Sequence, residues 1–380
     1  MKISVAHRCS DFSSYRAARV KSLFNVESGC DFRREFDLPF ENDGWKIGVI
    51  VGPSGSGKTS CGSRIFDGVP IHDLRAGWPD RKPIIDAIAP RGEFDAATAA
   101  LSAVGLGDVP AWLRPFHVLS NGEQFRAGLA RVVCDAPARV VVDEFTSVVD
   151  RQIAKIGAHA FAKAWRRTSG KAVLLSCHYD ILEWIEPDWV LDTATGQFTG
   201  RSLWRRPRIE FSVHQTDWRF WPMFEPHHYL KLGRMIAATC FVGVVAGEAV
   251  CHVAVSPKFQ TGHMRACRLV VMPEWQGAGV GTRFLDAVCE MQLRGENRWA
   301  RKCPTLFHTS HPGLAAALRR SARWVQTSAV LFGGNKLKSA QSIDAARIRD
   351  GRKSVGTGYG GHFRAVQGFK YIGAPEAVQN

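Results

Sequence analysis

Two glycine-rich loops of different kinds, GPSGSGKT at residues 52–59 and QGAGVG at residues 276–281, each follow a short apolar run and precede a helix-like stretch. A run of that sort ending in glycines is the pattern of a buried strand before a turn that passes close to phosphate. Glycine omits the Cβ that would hold a phosphate away from backbone N–H groups, and a following helix adds the positive end of its dipole. The chain is thereby constrained to two strand–loop–helix units, one in each half. At 380 residues with 45% hydrophobic content it can bury a core for each.

The first loop follows the apolar run at residues 46–51. Gly52, Pro53, Ser54, Gly55, Ser56, Gly57, Lys58, Thr59 and Ser60 make up its phosphate cradle, in which Lys58 supplies a point charge and the Thr59 hydroxyl is placed for Mg²⁺. A glycine-rich turn alone would share the pattern, so the following elements matter. Residues 119–124, LSNGEQ, precede a helix-like stretch; Val140, Val141 and Val142 then run into Asp143 and Glu144; residues 147–150 follow; and Leu174, Leu175, Ser176 and Cys177 lead to His178.

In this order the elements resemble an ABC-type ATPase, and the resemblance covers residues 1–200. It implies ATP and Mg²⁺ as cofactors, with Asp143 and Thr59 serving the metal, Glu144 polarising the attacking water and His178 sensing the γ-phosphate. It also implies that Ser120 and Gly122 reach the nucleotide of a second subunit, which makes the expected assembly a homodimer. The chain departs from the family in two ways. Ser120 lies 62 positions after Lys58, a short span for the helical subdomain that docks on membrane partners, and no glutamine occurs between them to supply the usual γ-phosphate contact. Asp80 or Asp86 is a substitute by position, and Phe32, Phe36 and Phe40 are candidates to stack on adenine. These departures disfavour a transporter subunit and favour an ATPase of the DNA-repair or chromosome-structure type.

Ten cysteines are scattered without a CxxC pair, which points to a reducing cytoplasm rather than disulfides or zinc. The longest apolar stretch, residues 235–247, is too short to span a bilayer, and no leader-like core follows Met1. A cytoplasmic protein without a membrane partner is expected.

Charge divides the chain sharply. Residues 1–200 hold 24 Lys and Arg against 24 Asp and Glu, whereas residues 201–380 hold 26 against 11, so the whole net charge of +15 lies in the second half. A polyanion, most simply nucleic acid, is the expected partner. Arg205, Arg206 and Arg208, then Arg319, Arg320 and Arg323, then Arg347, Arg349, Arg352 and Lys353 are candidate contacts. Trp204, Trp218, Trp221 and Trp324 are candidates for base stacking, with core packing the plainer use of most.

Residues 189–199 read as a closing hairpin, and a basic linker at 201–208 separates a domain at 1–200 from one at 209–380. In the second domain, residues 241–245 and 249–255 flank a turn as a β-hairpin, and a strand at 268–272 feeds the second loop and a helix at 283–292. Gln276, Gly279 and Gly281 match the Q/R-x-x-G-x-G/A motif, so residues 210–373 resemble GCN5-related N-acetyltransferases (GNATs). The resemblance implies acetyl-CoA as cofactor, held by Val270, Val271, Met272, Gln276, Gly277, Ala278, Gly279, Val280, Gly281 and Thr282. A dinucleotide loop is the rival reading, but no acid suited to a ribose follows in a βαβ unit.

Proton transfer in this half has no assigned residue. The strand before the loop carries no carboxylate, and Arg364 stands where the family has its tyrosine. His263, Glu274, His308, His311, Tyr359 and Tyr371 are candidates.

The fold class expected is α/β, an ABC-type P-loop domain followed by an α+β acyltransferase domain. The function expected is ATP hydrolysis joined to acyl transfer from CoA onto a nucleic-acid base or bound amine. The second half is also distantly similar to Mom-type phage proteins that modify adenine in DNA. Two alternatives stand beside it: an ATP-regulated acetyltransferase of a protein or small-molecule amine, and a nucleic-acid-binding ABC switch whose GNAT-like domain has no chemistry.

Overall fold

The structure is a computed structural model. It describes residues 1–8, 10–24, 31–39, 44–89, 92–200, 208–228, 234–235, 237–258, 262–330 and 366–373. The chain divides into two compact units, Met1–Trp78 with Ser120–Pro207, and Pro79–Leu119 with Arg208–Asn380.

In chain order the first unit opens with β1 (Lys2–Arg8), α1 (Tyr15–Phe24), β2 (Asp31–Asp37), β3 (Ile47–Val51), α2 (Lys58–Gly62) and β4 (Ile71–His72). The segment assigned to the second unit supplies α3 (Ile84–Ile88), α4 (Phe94–Ala103) and α5 (Val109–Trp112). The first unit resumes with α6 (Asn121–Asp135), β5 (Arg139–Val142), α7 (Arg151–Trp165), β6 (Lys171–Ser176), α8 (Leu182–Ile185), β7 (Trp189–Asp192) and β8 (Phe198–Thr199). The second unit continues with β9 (Ser212–Thr216), α9 (Trp221–Phe224), β10 (Thr239–Val245), β11 (Glu248–Lys258), β12 (His263–Val271), α10 (Val280–Arg294), β13 (Thr305–Thr309), α11 (Pro312–Arg320), β14 (Trp324–Val330) and β15 (Val366–Tyr371).

The first unit is built on a sheet of order β4-β5-β6-β3-β7-β8, parallel except for the β7–β8 hairpin. Covered on both faces, its central strands must be apolar throughout, and every residue of β3 is buried. Because β3, β5 and β6 are parallel, the loops that follow them emerge at the same edge of the sheet, which gathers the phosphate loop, Asp143 and His178. Separately, β1 and β2 pair antiparallel across the intervening α1, and Ile3, Val5, Phe36 and the following Leu38 are buried in one cluster. The Phe36 ring is therefore committed to packing and is withdrawn as an adenine-stacking candidate, while Phe40 and the side chain of Phe32 lie outside the described residues.

The second unit holds a seven-stranded sheet of order β14-β15-β13-β12-β11-β10-β9, antiparallel except for β12 and β13. On one face α10 lays Phe284, Leu285 and Val288 against Phe241, Val253, Met264, Phe307 and Phe369. On the other face, Trp221 and Phe224 pack with Val242 and Val270. Trp221 and Trp324 are thus core residues, not base-stacking platforms. Trp204 lies outside the described residues.

The parallel pairing of β12 with β13 covers only Met264–Ala266 and Thr305–Phe307 in register. Beyond it, β12 shifts register against β11, and Arg268 takes φ +58 at that irregularity. A bulge of this kind bends the strand and ends pairing locally. The glycine loop follows directly from the bent strand.

Candidate functional sites

The phosphate loop leaves β3 at Gly52, whose φ of +150 and whose close approach to Thr193 both exclude a side chain: a Cβ there would lie 2.1 Å from Thr193 Oγ1. Thr193, at the end of β7, fixes the loop by contacting Ser56 Oγ at 2.6 Å and donating to Val51 O at 3.0 Å. Lys58 Nζ donates to Gly52 O at 2.7 Å and Pro53 O at 2.8 Å, so the ammonium lies over the loop and is held by neutral carbonyls. That is a cationic pocket fitted to phosphate oxygens. Ser56 Oγ also donates to Pro53 O, and Ser60 Oγ meets His7 Nε2 at 2.6 Å.

Thr59 Oγ1 donates to Asp143 Oδ2 at 3.0 Å, joining a hydroxyl and a carboxylate, the oxygen donors that suit Mg²⁺. Asp143 Oδ1 accepts from the Glu144 N–H at 2.8 Å. After Asp143 the chain turns abruptly: Glu144 has φ +47 and Thr146 φ +72, while the Phe145 N–H donates to Leu175 O at 2.8 Å. This left-handed turn leaves Glu144 exposed beside the buried Phe145. His178 is held by its N–H, which donates to Ser176 Oγ at 3.1 Å, and burial with the nearby Arg151 cation lowers its pKa. Arg151 is itself paired with Asp180.

Ser120 caps the 15-residue helix α6. Its Oγ accepts from the Glu123 N–H at 3.3 Å, and Glu123 Oε2 accepts from the Ser120 N–H at 2.7 Å. This reciprocal arrangement stabilises the helix start by roughly 1 kcal/mol. Gly122 packs closely on α7, where a Cβ would lie 2.7 Å from Ile153 Cδ1, the tip of a side chain that would have to turn aside. Asp150 caps α7 by accepting from the Ile153 N–H. Asp86 lies in the first turn of α3 and Asp80 just before it.

In the second unit the QGAGVG loop runs into α10, whose N-cap is Gly279 at φ +77. No side chain caps that helix, and its first turn holds no acid, so the first N–H groups of a 15-residue helix offer an anion site with no opposing charge in that turn. Gly281 allows α10 to touch β12: a Cβ there would lie 2.6 Å from Val271 Cγ2. Gln276 Nε2 donates to Val271 O at 3.1 Å and Thr282 Oγ1 to Gly279 O at 3.2 Å, while the Met272 N–H donates to Val250 O. Val270 faces Trp221 and Phe224, and Ala278 packs on the α10 side. The loop, the uncapped helix start and the absence of acid fit a pyrophosphate-bearing group such as CoA.

The proton-transfer candidates separate. His311 Nδ1 accepts from the Leu314 N–H at 3.2 Å, which leaves Nε2 protonated to donate to Gly107 O at 3.2 Å. Its imidazole is committed and structural. The Tyr371 hydroxyl donates to Glu290 Oε2 at 2.8 Å, and burial together with that carboxylate pushes its pKa up. It is withdrawn as an acid. Glu274 lies in the 3-10 turn before the loop, and His263 starts β12. On β13, one residue past the parallel pairing, His308 has Nδ1 buried without a partner, and burial with Arg265 and Lys258 lowers its pKa to about 4. Tyr359 and Arg364 lie outside the described residues, as do Arg205, Arg206, Arg347, Arg349, Arg352 and Lys353. Arg319 and Arg320 are exposed at the end of α11, and Arg323 meets Asp286 at 3.8 Å.

Sequence reasoning missed Thr193 and Gly107. The former follows β7 in a turn without any motif, and the latter contacts a residue far away in sequence.

Comparison with known proteins finds relatives of both halves of the chain. Residues 210–305 match the acetyltransferase (GNAT) family. The chain is 30% identical over 199 residues to the cytochrome c biogenesis ATP-binding export protein CcmA of Pseudomonas fluorescens, covering 42% of this chain and 90% of that protein. It is also 27% identical over 192 residues to the phosphonates import ATP-binding protein PhnC 1 of a Synechococcus strain, covering 38% of this chain and 72% of that protein. Among solved structures, the dimeric ATP-binding cassette MJ0796 aligns with 12% identity and a TM-score of 0.37 over 52% of this chain and 99% of that one.

The chain belongs to the ABC ATPase family through its N-terminal half and carries a GNAT-family acetyltransferase domain in its C-terminal half. ATP with Mg²⁺ and acetyl-CoA are the cofactors that these domains imply. The relatives named here are an export and an import ATP-binding protein. Among the described residues no helix is long and apolar enough to cross a membrane.

Proposed function

We propose that this protein is a cytoplasmic, homodimeric ATPase whose C-terminal domain transfers an acyl group from coenzyme A to a nucleic-acid base or to an amine held on nucleic acid. The observation that carries the nucleic-acid reading is the charge division: all of the net +15 belongs to residues 201–380, the half with the acetyltransferase domain. The exposed pair Arg319 and Arg320, at the end of α11, supports a polyanion there.

In the ATPase half, the loop N–H groups and Lys58 bind and orient the phosphates, Thr59 and Asp143 hold Mg²⁺, Glu144 orients the attacking water, and His178 contacts the γ-phosphate. Ser120 and Gly122 serve the nucleotide bound to the other subunit. Mg²⁺ supplies positive charge to the phosphate oxygens. Glu144 suits its role because the turn at φ +47 exposes its carboxylate next to Asp143.

In the other half, Gln276 to Thr282 and the α10 N-terminus would hold and orient the phosphates of acetyl-CoA. Acetyl-CoA held there would supply the acyl group: the acceptor nitrogen would gain the acyl carbon and give up a proton, and the thiolate released from the C–S bond would take one up. His308 is neutral at pH 7, but its Nδ1 is buried and its pKa is lowered to about 4, so it is a weak base and is not assigned the nitrogen's proton.

The test is acyl transfer from isotopically labelled acetyl-CoA to DNA, RNA or a protein mixture, with nucleosides then read by mass spectrometry. Label on a nucleoside, together with nucleic-acid binding that weakens steeply with salt, supports the reading. Label confined to protein, or binding indifferent to salt, overturns it.

A further inference from the structure

On β11, His252 is fully buried in a box of aromatic rings, with ring centroids 5.2 Å from Trp221, 5.6 Å from Phe224 and 6.0 Å from Trp218. An imidazole is a costly choice for such a place, because Nε2 is buried with no partner and a phenylalanine would fill the same box without that penalty. What the imidazole adds is one donor. Nδ1 lies 3.3 Å from Arg268 O, and since a carbonyl only accepts, Nδ1 carries the proton and Nε2 is bare.

That carbonyl belongs to the bulge of β12. His252 pairs with Val270 and Ala254 with Cys267, so Val253 alone stands opposite two residues, Arg268 and Leu269, and Arg268 takes φ +58. A bulge takes its extra residue out of the ladder, so a carbonyl there needs a partner from elsewhere, and the His252 side chain supplies one. The bend lies between two fixed stretches. Upstream, the parallel pairing of β12 with β13 ends at Ala266 and Phe307. Downstream, Val271 meets the glycine loop twice: its carbonyl accepts from Gln276 Nε2 at 3.1 Å, and its Cγ2 lies where a Cβ on Gly281 would come within 2.6 Å. The angle of the bulge therefore sets where the loop and the first turn of α10 lie relative to β13.

We infer that His252 is a positioning residue of the acyl-CoA site, holding the β12 bulge through Arg268 O so that Val271, Gln276 and Gly281 are set for the phosphates of acyl-CoA; this rests on the reading of residues 276–281 as the CoA loop. One side chain thus has two roles. Its ring fills the aromatic box, its Nδ1–H shapes the site, and substitution can remove either alone.

The experiment compares two variants of the full chain with wild type at neutral pH. His252→Phe keeps a ring in the box and removes the donor, whereas His252→Asn places an amide N–H near the position of Nδ1 and leaves the box underfilled. Urea midpoints report stability, and calorimetric titration reports acetyl-CoA binding. The acetyl-CoA Kd is expected to rise by about fivefold or more in His252→Phe and to stay within about twofold of wild type in His252→Asn, although the Asn variant has the lower midpoint. Affinity lost in the same order as stability, or an unchanged Kd in His252→Phe, overturns the inference while the CoA reading stands. Should His252→Asn fail to fold, amide exchange in His252→Phe decides: acceleration concentrated in residues 267–272 supports the positioning role, and uniform or absent acceleration overturns it. If the wild-type chain binds no acetyl-CoA, the CoA reading itself fails, and the inference with it.

Discussion

Thr59 Oγ1 donates a 3.0 Å hydrogen bond to Asp143 Oδ2 across 84 positions of sequence. The bond ties the start of α2, at the foot of the phosphate loop, to the end of β5, and β3 and β5 both pair with β6 as parallel strands. A hydroxyl and a carboxylate that converge in this way are held ready for a hard cation, and the next residue, Glu144, is thrown outward by its left-handed turn.

Glu144→Gln preserves side-chain volume and removes the negative charge. ATP turnover is expected to fall by about 100-fold or more, with nucleotide still bound. Phosphate release at saturating ATP and Mg²⁺ measures the first, and equilibrium dialysis the second. Turnover within a few-fold of wild type would take Glu144 out of the hydrolytic role.

Gly281→Ala drives a methyl to 2.6 Å from Val271 Cγ2, so α10 and β12 must part at the point where the loop is shaped. The expectation is a weakening of acetyl-CoA binding by about tenfold or more, consistent with the roughly 1–3 kcal/mol that forced overpacking costs. Calorimetry on the full chain reads it, and an unaltered Kd would show that the loop tolerates the separation.

Gly313→Ala puts a methyl 2.3 Å from Ser102 Cβ and pushes α4 off α11. Amide hydrogen exchange in α4 is expected to accelerate, and the double change Gly313→Ala with Ser102→Gly to restore it. Equal acceleration in the single and double variants would mean that contact with Ser102 is not what holds α4 in place.

What the sequence disclosed follows from how locally each feature is encoded. A strand such as β3, buried on both faces, writes itself as an unbroken apolar run, and the Asp-Glu pair at the end of β5 stands out against three valines. The two glycine loops were legible because backbone access to phosphate demands glycine at fixed spacing. By contrast, β12 reaches back to His263, well before the apolar run. Its front half alternates the buried Met264 and Ala266 with polar residues, and the bulge at Arg268 then breaks the alternation. Helix α10 begins at Val280 because the loop's last residues form its first turn. The contacts of Gly107 with Gln276 and His311 span 169 and 204 positions, and no local pattern encodes a backbone group that meets a distant side chain.

His252 supplies the pH test. It is fully buried on β11 against Trp218, Trp221 and Phe224, with Nδ1 facing Arg268 O at 3.3 Å and Nε2 without a partner. Burial lowers its pKa to about 4, with the Arg268 carbonyl opposing and His228 adding a smaller push. Between pH 6.5 and about 4 the unfolded chain takes up a proton at this residue that the fold refuses. Its contribution to stability is therefore complete above pH 6.5 and declines as the pH falls to about 4, at roughly 1.4 kcal/mol per pH unit. His308, held near the same value by burial and by Arg265 and Lys258, adds in the same direction. His252→Phe keeps the aromatic packing and removes the titration. The acid side of its stability-against-pH curve is expected to be flatter than wild type by that slope, while the two proteins stay parallel above pH 7. Denaturant midpoints measured from pH 4 to pH 8 decide the matter, and identical acid slopes would show that His252 takes its proton as readily folded as unfolded.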